Sequence, residues 1–136
     1  MMFEICDMPE KKAEEIVSRC SSEDRSGYRA FMRAGEYWAK GKFICRGFAD
    51  SGFYCGSIAK RHFRLYVIAV EVAAEGTGLA TVLLEDMKRV VASRGVGRIT
   101  FKTKIGSRAW EWWNRRGAVL SDKGFVGNEA EMEIIL

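Results

Sequence analysis

Few residues in this chain of 136 carry side chains suited to bond-making chemistry: four cysteines (Cys6, Cys20, Cys45, Cys55), one histidine (His62), and one acid, Glu71, inside an otherwise apolar run from Leu65 to Val72. The cysteines stand at wide, irregular spacings with no CxxC pair, and a lone histidine cannot complete a zinc set, so no metal site is expected. With no sign of export, the thiols read as small buried hydrophobes in a reducing compartment, although Cys45 and Cys55 can face each other across a hairpin. His62 titrates near neutrality but sits in a basic turn, Lys60-Arg61-His62, where a surface place is expected. Glu71 differs from these. A carboxylate in apolar company has its pKa raised toward the range where it takes up and releases a proton. The competing readings for Glu71 are an ion pair with a nearby arginine, or simple solvent exposure.

The second chemical feature belongs to the backbone. Ala73-Ala74-Glu75-Gly76-Thr77-Gly78-Leu79-Ala80-Thr81 follows the apolar run and leads into a helical pattern. The N–H groups at a helix start have no internal acceptors and sit at the positive end of the helix dipole, so they bind phosphate oxygens. Gly76 and Gly78 let an anion approach, Ala80 is too small to cover the same pocket, and Thr77 and Thr81 can add hydroxyl donors. The plain alternative is a tight connection between strand and helix. Two well-known phosphate loops are excluded: there is no G-x-x-x-x-G-K-[ST], and G-x-G-x-x-G fails because Thr81 stands where the third glycine belongs.

These features must be positioned by a recognisable series of elements. A short apolar start, Met2 to Cys6, precedes Asp7-Met8-Pro9-Glu10, which has a capping acceptor, an early proline and an acid, and so begins a helix with Ala13, Ile16, Val17 and Cys20 on one face. A second helical pattern follows the polar stretch Ser21 to Asp24, with Tyr28, Phe31, Met32, Gly35, Trp38 and Ala39 at helical spacing until Gly41 closes it. Lys42 to Phe48 and Phe53 to Ala59 flank the turn Asp50-Ser51-Gly52 and predict a hairpin. The run Leu65 to Val72 predicts a strand covered on both faces in mid-sheet. Leu79, Leu83, Met87 and Val90 with Ala80, Leu84 and Val91 describe a helix ending near Gly95. Ile99 to Thr103 is a further strand, Ser107 caps a helix running to Arg116, Gly117 stops it, and Ala118 to Leu120 and Glu131 to Leu136 are closing strands. The predicted order is β-α-α-β-β-β-α-β-α-β-β.

On these residues the chain resembles the GNAT superfamily of acyl-CoA-dependent N-acyltransferases. The family's Q/R-x-x-G-x-G/A at a helix start is matched by Glu75-Gly76-Thr77-Gly78-Leu79-Ala80, with glutamate in the usually basic or amide first position. The segment Gly106 to Ala118 looks like the family's N-x-x-A-x-x-x-Y-x-x-x-G-F, in which Ala109 and Gly117 match, while the asparagine falls on Gly106 and the tyrosine on Trp113. The resemblance implies a single α/β (α+β) domain over 1–136: a mixed, mostly antiparallel sheet of six to seven strands with helices on both faces. It also implies a splay between the strands Leu65 to Val72 and Arg98 to Thr103. It implies that Glu75, Gly76, Thr77, Gly78, Leu79, Ala80 and Thr81 hold the coenzyme A pyrophosphate and that main-chain groups of Val70 and Val72 pair with pantetheine. The reaction implied is direct transfer of an acetyl group from acetyl-CoA to an amine, without a covalent enzyme intermediate or a metal. Glu71 is then the base that makes the amine nucleophilic, and Tyr28, Phe31 and Trp38 fall where the acceptor pocket is shaped, though the same spacing suits helix core.

Composition bounds the remaining alternatives. With 48% apolar residues and one proline, the chain can bury a substantial core. Its apolar stretches end well short of the ~20 residues of a bilayer span, and the N-terminus lacks a basic segment followed by an apolar core, so a cytoplasmic protein without membrane contact is expected. Trp110 and Trp113 read as core, and Trp112, facing another way, as exposed. Two rival functions remain. A non-catalytic acyl-CoA-binding domain is suggested by Trp113 in the tyrosine position and by Glu75. A nucleic-acid-associated protein is suggested by the net charge of +4 and by Arg61, Arg64, Arg108, Arg115 and Arg116. The acceptor is a small or macromolecular amine, and the assembly a monomer or homodimer.

Overall fold

The computed structural model of the protein describes residues 3–32 and 43–136. The predicted order of elements is the observed one. The chain runs β1 (Cys6–Asp7), α1 (Glu10–Val17), α2 (Ser22–Met32), β2 (Phe43–Phe48), β3 (Gly52–Ala59), β4 (His62–Val70), α3 (Leu79–Ser93), β5 (Arg98–Lys104), α4 (Arg108–Arg115), β6 (Val119–Val126) and β7 (Glu129–Ile135), with a 3-10 turn at Val72–Ala74. The strands form one sheet in the order β1-β2-β3-β4-β5-β7-β6. Every neighbouring pair is antiparallel except β4 and β5, which run parallel because the chain between them crosses over through α3.

Each face of the sheet carries its own helices. On one side Leu79, Leu83, Leu84, Met87 and Val91 of α3 and Trp113 of α4 pack on Tyr54, Phe63, Leu65, Ile99 and Phe101. On the other, Ala13, Ile16 and Val17 of α1 and Tyr28 of α2 pack on Phe53, Cys55, Val67 and Ala69. Burying each of the large side chains contributes about 1.5–3 kcal/mol, and the helical stripes and strand periods that generate this burial are those read from the sequence. A charged network ties α3 to the β2–β3 hairpin. Arg46 donates to both oxygens of Asp86 (2.8 and 3.1 Å), Tyr54 Oη donates to Asp86 at 2.6 Å, and Arg89 reaches the same carboxylate at 2.6 Å. Burial works to raise the Asp86 pKa, but these hydrogen bonds and the two guanidinium charges hold the carboxyl below its ordinary value.

Several local expectations are corrected. Asp7 does not cap α1: it lies in β1 opposite Arg46, bonds its guanidinium at 3.0 Å, and leaves Pro9 at the cap position with no side-chain bond. The central strand is His62–Val70, so it begins earlier than expected and stops before Glu71 and Val72; its residues alternate between buried and half-buried, because one side of it borders open space. Trp112 is half-buried, its ring edge-on to Trp113 at 4.8 Å. The continuation of α2 through Gly35, Trp38 and Ala39 to Gly41 lies outside the described residues. Cys45 and Cys55 stand directly opposite each other, buried and without a disulfide; burial pushes the Cys20 thiol up to about 12 and, with the neighbouring Cys45, raises that of Cys55, so neither is a reactive thiolate at neutral pH. Among the described residues no helix is long and apolar enough to cross a membrane.

Candidate functional site

The site begins where two neighbouring strands part. β4 and β5 are paired only at His62–Arg98, Phe63–Ile99 and Arg64–Thr100, after which both continue without each other. The departure coincides with a bulge: Gly56 is opposite Leu65 and Cys55 opposite Val67, leaving Tyr66 as the extra residue. A bulge bends its strand away from the ladder. Gly56 is required there, since a Cβ would overlap the Arg64 carbonyl and the Phe63 ring. Beyond the bulge the hydrogen-bond phase is set by Glu71 N–H donating to Ser51 O at 2.8 Å, in register with the Gly52–Val70 pair. Antiparallel pairing alternates, so Val67 and Ala69 bond toward β3, while Ile68 and Val70 turn their N–H and C=O groups into the gap. The free edge of β4 is therefore a ready partner for an extended ligand.

The gap holds two adjoining cavities. One, of about 530 Å³, runs between Leu65–Ile68 of β4 and Phe101–Lys104 of β5. The other, of about 380 Å³, opens at the glycine turn and is lined by Val70, Gly76, Gly78, Ala80 and the arginines of α4. Glu23, Asp24, Ile68, Ala109 and Trp113 border both.

Gly76 (φ 77°) and Gly78 (φ 87°) adopt left-handed backbone that favours glycine, and a Cβ on either would meet nothing within 4 Å. The first helical hydrogen bond is Val82 N–H to Gly78 O at 3.1 Å, so among the described residues the N–H groups of Gly76, Gly78, Ala80 and Thr81 have no acceptor. Leu79 N–H has only a long contact of 3.4 Å with Thr77 Oγ1. The threonine hydroxyls are engaged elsewhere: Thr77 donates to Ala74 O at 2.6 Å, and Thr81 accepts from Arg116 at 3.1 Å. Facing this cradle, Arg108 Nη1 lies 3.2 Å from Glu75 Oε2, so the acid in the first motif position carries its own counter-charge. Arg116 stacks over Trp112 at 4.9 Å and keeps a buried Nε without a partner, and Arg115 lines the same cavity. Three arginines and four free N–H groups suit a polyanion. Ser107 caps α4 as its position predicts, accepting from Trp110 N–H at 3.1 Å.

The remaining predicted residues are distributed as follows. Glu71, just past β4, accepts from Arg19 Nε at 2.7 Å and is the acid of an ion pair, the second of the readings its sequence allowed. Val72 N–H donates to Arg19 O at 3.0 Å and is not free for a ligand, unlike Val70. Tyr28 is buried against Phe53, with ring centroids 6.0 Å apart, and lines neither cavity. Phe31 lies in the last turn of α2, and Trp38 lies outside the described residues. His62 sits at the closed end of the β4–β5 pair, where burial and the charges of Arg98 and Arg64 lower its pKa. Trp113 is core, its ring 4.1 Å from that of Phe101. Of the arginines read as a nucleic-acid surface, Arg64 is bonded to Glu131 and Arg108 to Glu75.

Sequence reasoning missed Asp24. Its backbone N–H is bonded to Ser21 Oγ at 3.3 Å, as a helix start requires, yet its side chain borders both cavities. Burial, with help from the nearby Glu23 and Glu75 charges, pushes its carboxyl up to about 6 against the opposing effects of Ser21 and Arg108. The sequence shows a polar stretch from Ser21 to Asp24 ahead of a helical pattern, but nothing in the spacing shows that α2 lies across β4.

No family model matches the chain, and no curated protein matches it. Solved structures do. The PaiA N-acetyltransferase of Thermoplasma acidophilum, in complex with coenzyme A, superposes with a TM-score of 0.79 at 14% identity over 100% of both chains. The ribosomal-protein-S18-alanine N-acetyltransferase of Escherichia coli gives 0.74 at 16% identity over 98% of this chain and 94% of its own. An aminoglycoside 6'-N-acetyltransferase complexed with coenzyme A gives 0.68 at 14% identity, covering 97% and 96%.

Proposed function

We propose that this chain, which has the fold of the GNAT N-acetyltransferases, transfers an acetyl group directly from acetyl-CoA to an amine. The observation that carries the reading is the continuity of the glycine cradle with the unpaired edge of β4. The donor's diphosphate would rest on the N–H groups of Gly76, Gly78, Ala80 and Thr81, opposite Arg108, Arg115 and Arg116. Its pantetheine arm would pair with Val70 and Ile68, and the thioester would lie in the splay, where a β4 N–H can polarise the carbonyl. The acceptor then enters through the larger cavity. Cys20 and Cys55 are too basic and Cys45 too buried to form an acyl-enzyme, and exposed Cys6, on edge strand β1, lines neither cavity, which favours direct attack. Structures of similar fold act on a ribosomal protein's alanine and on aminoglycosides by their names, so the fold accommodates both macromolecular and small amines.

A second reading has one observation in its favour. Trp113, in the position of the family's tyrosine, is a buried indole with no useful acidity, so the departing thiolate has no protein acid there. A binding domain that never turns over would tolerate this. Thermal shift with acetyl-CoA on the parent and on Gly78→Trp tests the site: the parent should be stabilised and the variant not. Thiol release with a panel of amines separates the readings. Stabilisation without release favours the binding domain, and equal shifts for parent and variant place the site elsewhere.

A further inference from the structure

We propose that the acceptor is a protonated alkylamine and that Asp24 takes its proton; this rests on the acetyltransferase reading above. Asp24 stands where the two cavities meet, so a donor lying in the cradle and along Val70 and Ile68 brings its reacting end past this side chain. Apart from Glu23, which stands exposed at the rim on the same helix, the other titratable groups about the gap are engaged or distant. Glu71 is paired with Arg19, Tyr66 Oη shares a hydrogen bond with Ser57 Oγ at 3.0 Å, and Glu131 holds Arg64. His62 is at the far, closed end.

The charge balance of the acceptor cavity points the same way. Its three bases face two acids of β7 and two of α2: Arg64 is bonded to Glu131, Lys102 and Lys104 stand opposite Glu131 and Glu129, and Glu23 and Asp24 border the same cavity. On the facing helix, Glu23 is exposed and Asp24 half-buried, and among the described residues no cation forms an ion pair with Asp24. The charges facing it are Glu23 on its own helix, Glu75 from the glycine turn and Arg108 from α4, the last already tied to Glu75. The uncompensated charge at the junction is negative, which attracts an ammonium.

An alkylamine with pKa near 10.4 is neutral in only about one molecule in a few thousand at pH 7, so attack needs a proton acceptor. Asp24, pushed up to about 6, is mostly ionised at pH 7 and remains basic enough to serve. The ammonium gives one proton to the Asp24 carboxylate, and the freed lone pair forms the C–N bond at the thioester carbonyl. The C–S bond breaks with its electron pair on sulfur. The second N–H proton, acidic in the tetrahedral adduct, passes through solvent to the thiolate, and Asp24 returns its proton to water. Ammonium and thioester thus give amide, thiol and one proton.

The test compares butylamine with aniline, which is already neutral at pH 7 and needs no such acceptor, using parent, Asp24→Asn and Asp24→Glu. Asp24→Asn should lower kcat/KM for butylamine about 100-fold and for aniline less than about threefold. It should also abolish the rise of the butylamine rate through pH about 6. Acetyl-CoA stabilisation in a thermal shift should persist, showing a folded protein with an intact donor site. Should the asparagine variant fail to fold, Asp24→Glu, which keeps the charge but moves it, should slow butylamine selectively. Equal losses with both amines, or an unchanged butylamine rate, overturn the role of Asp24. A parent that acetylates aniline but not butylamine overturns the acceptor class alone, and a parent that binds acetyl-CoA yet releases no thiol with either overturns the transferase reading itself.

Discussion

Two glycines at opposite ends of α3 provide an internally controlled test of the cradle. Gly78 precedes the helix at φ 87° and Gly95 follows it at φ 75°, and a Cβ at either meets nothing within 4 Å. Alanine at each position is therefore strained by backbone alone. Left-handed backbone costs an L-residue about 1–2 kcal/mol, offset by about 0.4–1 kcal/mol because alanine restricts the unfolded chain. Each variant should lose about 1 kcal/mol, a drop of roughly 3–5 °C in Tm for a chain of this length. Their responses to the donor should then separate. At one hundred times Kd, acetyl-CoA adds about 2.7 kcal/mol to the parent. At Gly95 this increment should survive intact. At Gly78 the methyl group projects into the space where a phosphate oxygen would approach the free N–H groups, and a tenfold loss of affinity removes about 1.4 kcal/mol of the increment. Differential scanning fluorimetry across an acetyl-CoA titration measures both effects. Equal increments in the two variants would refute the placement of the diphosphate, whatever the absolute Tm values.

Other consequences follow from the charges and thiols. Glu75→Gln removes an acid beside the cradle and releases Arg108, so calorimetry should show severalfold tighter acetyl-CoA binding, and Arg108→Ala weaker binding, both effects shrinking at high salt. The Arg108 side chain is 77% exposed, so neither change should move stability by more than about 0.5 kcal/mol. Asp86→Ala leaves the part-buried Arg46 guanidinium with only exposed Asp7 as counter-charge and the buried Tyr54 hydroxyl without its acceptor, and should cost about 1–3 kcal/mol in urea unfolding. Because the folded pKa of Asp86 lies below 3.8, its contribution is complete above that value and is lost as pH falls through the lower folded pKa; Asp86→Asn should flatten this acid limb of the stability curve. With a disulfide thiol reagent, exposed Cys6 should react at once, and Cys20, Cys45 and Cys55 only as the protein unfolds.

What could be read from the sequence, and what could not, divides along a physical line. Local periodicity specified the order of the eleven helices and strands among the described residues, and the cradle followed from two glycines before a helix, since a run of free backbone N–H groups needs only neighbours in sequence. The half-open β4–β5 pair was reached by resemblance; its local cause is Gly56, whose missing Cβ permits the bulge at Tyr66, and a glycine inside a strand marks such a place. The roles of individual acids were not legible, because each depends on what a distant element brings to it. Glu71 and Arg19 are 52 residues apart, and their pairing requires α1 and the end of β4 to meet across the sheet. Asp24 read only as the end of a polar stretch before a helix, for the complementary reason. Its backbone N–H is capped by Ser21 Oγ, and only the packing of that helix across β4 brings the same residue to the cleft. The exchange between these two acids is physically consistent: a carboxylate whose oxygen already accepts from a guanidinium at 2.7 Å is committed to that ion pair, whereas a half-buried carboxylate without an ion pair among the described residues keeps the basicity needed to take a proton from an ammonium.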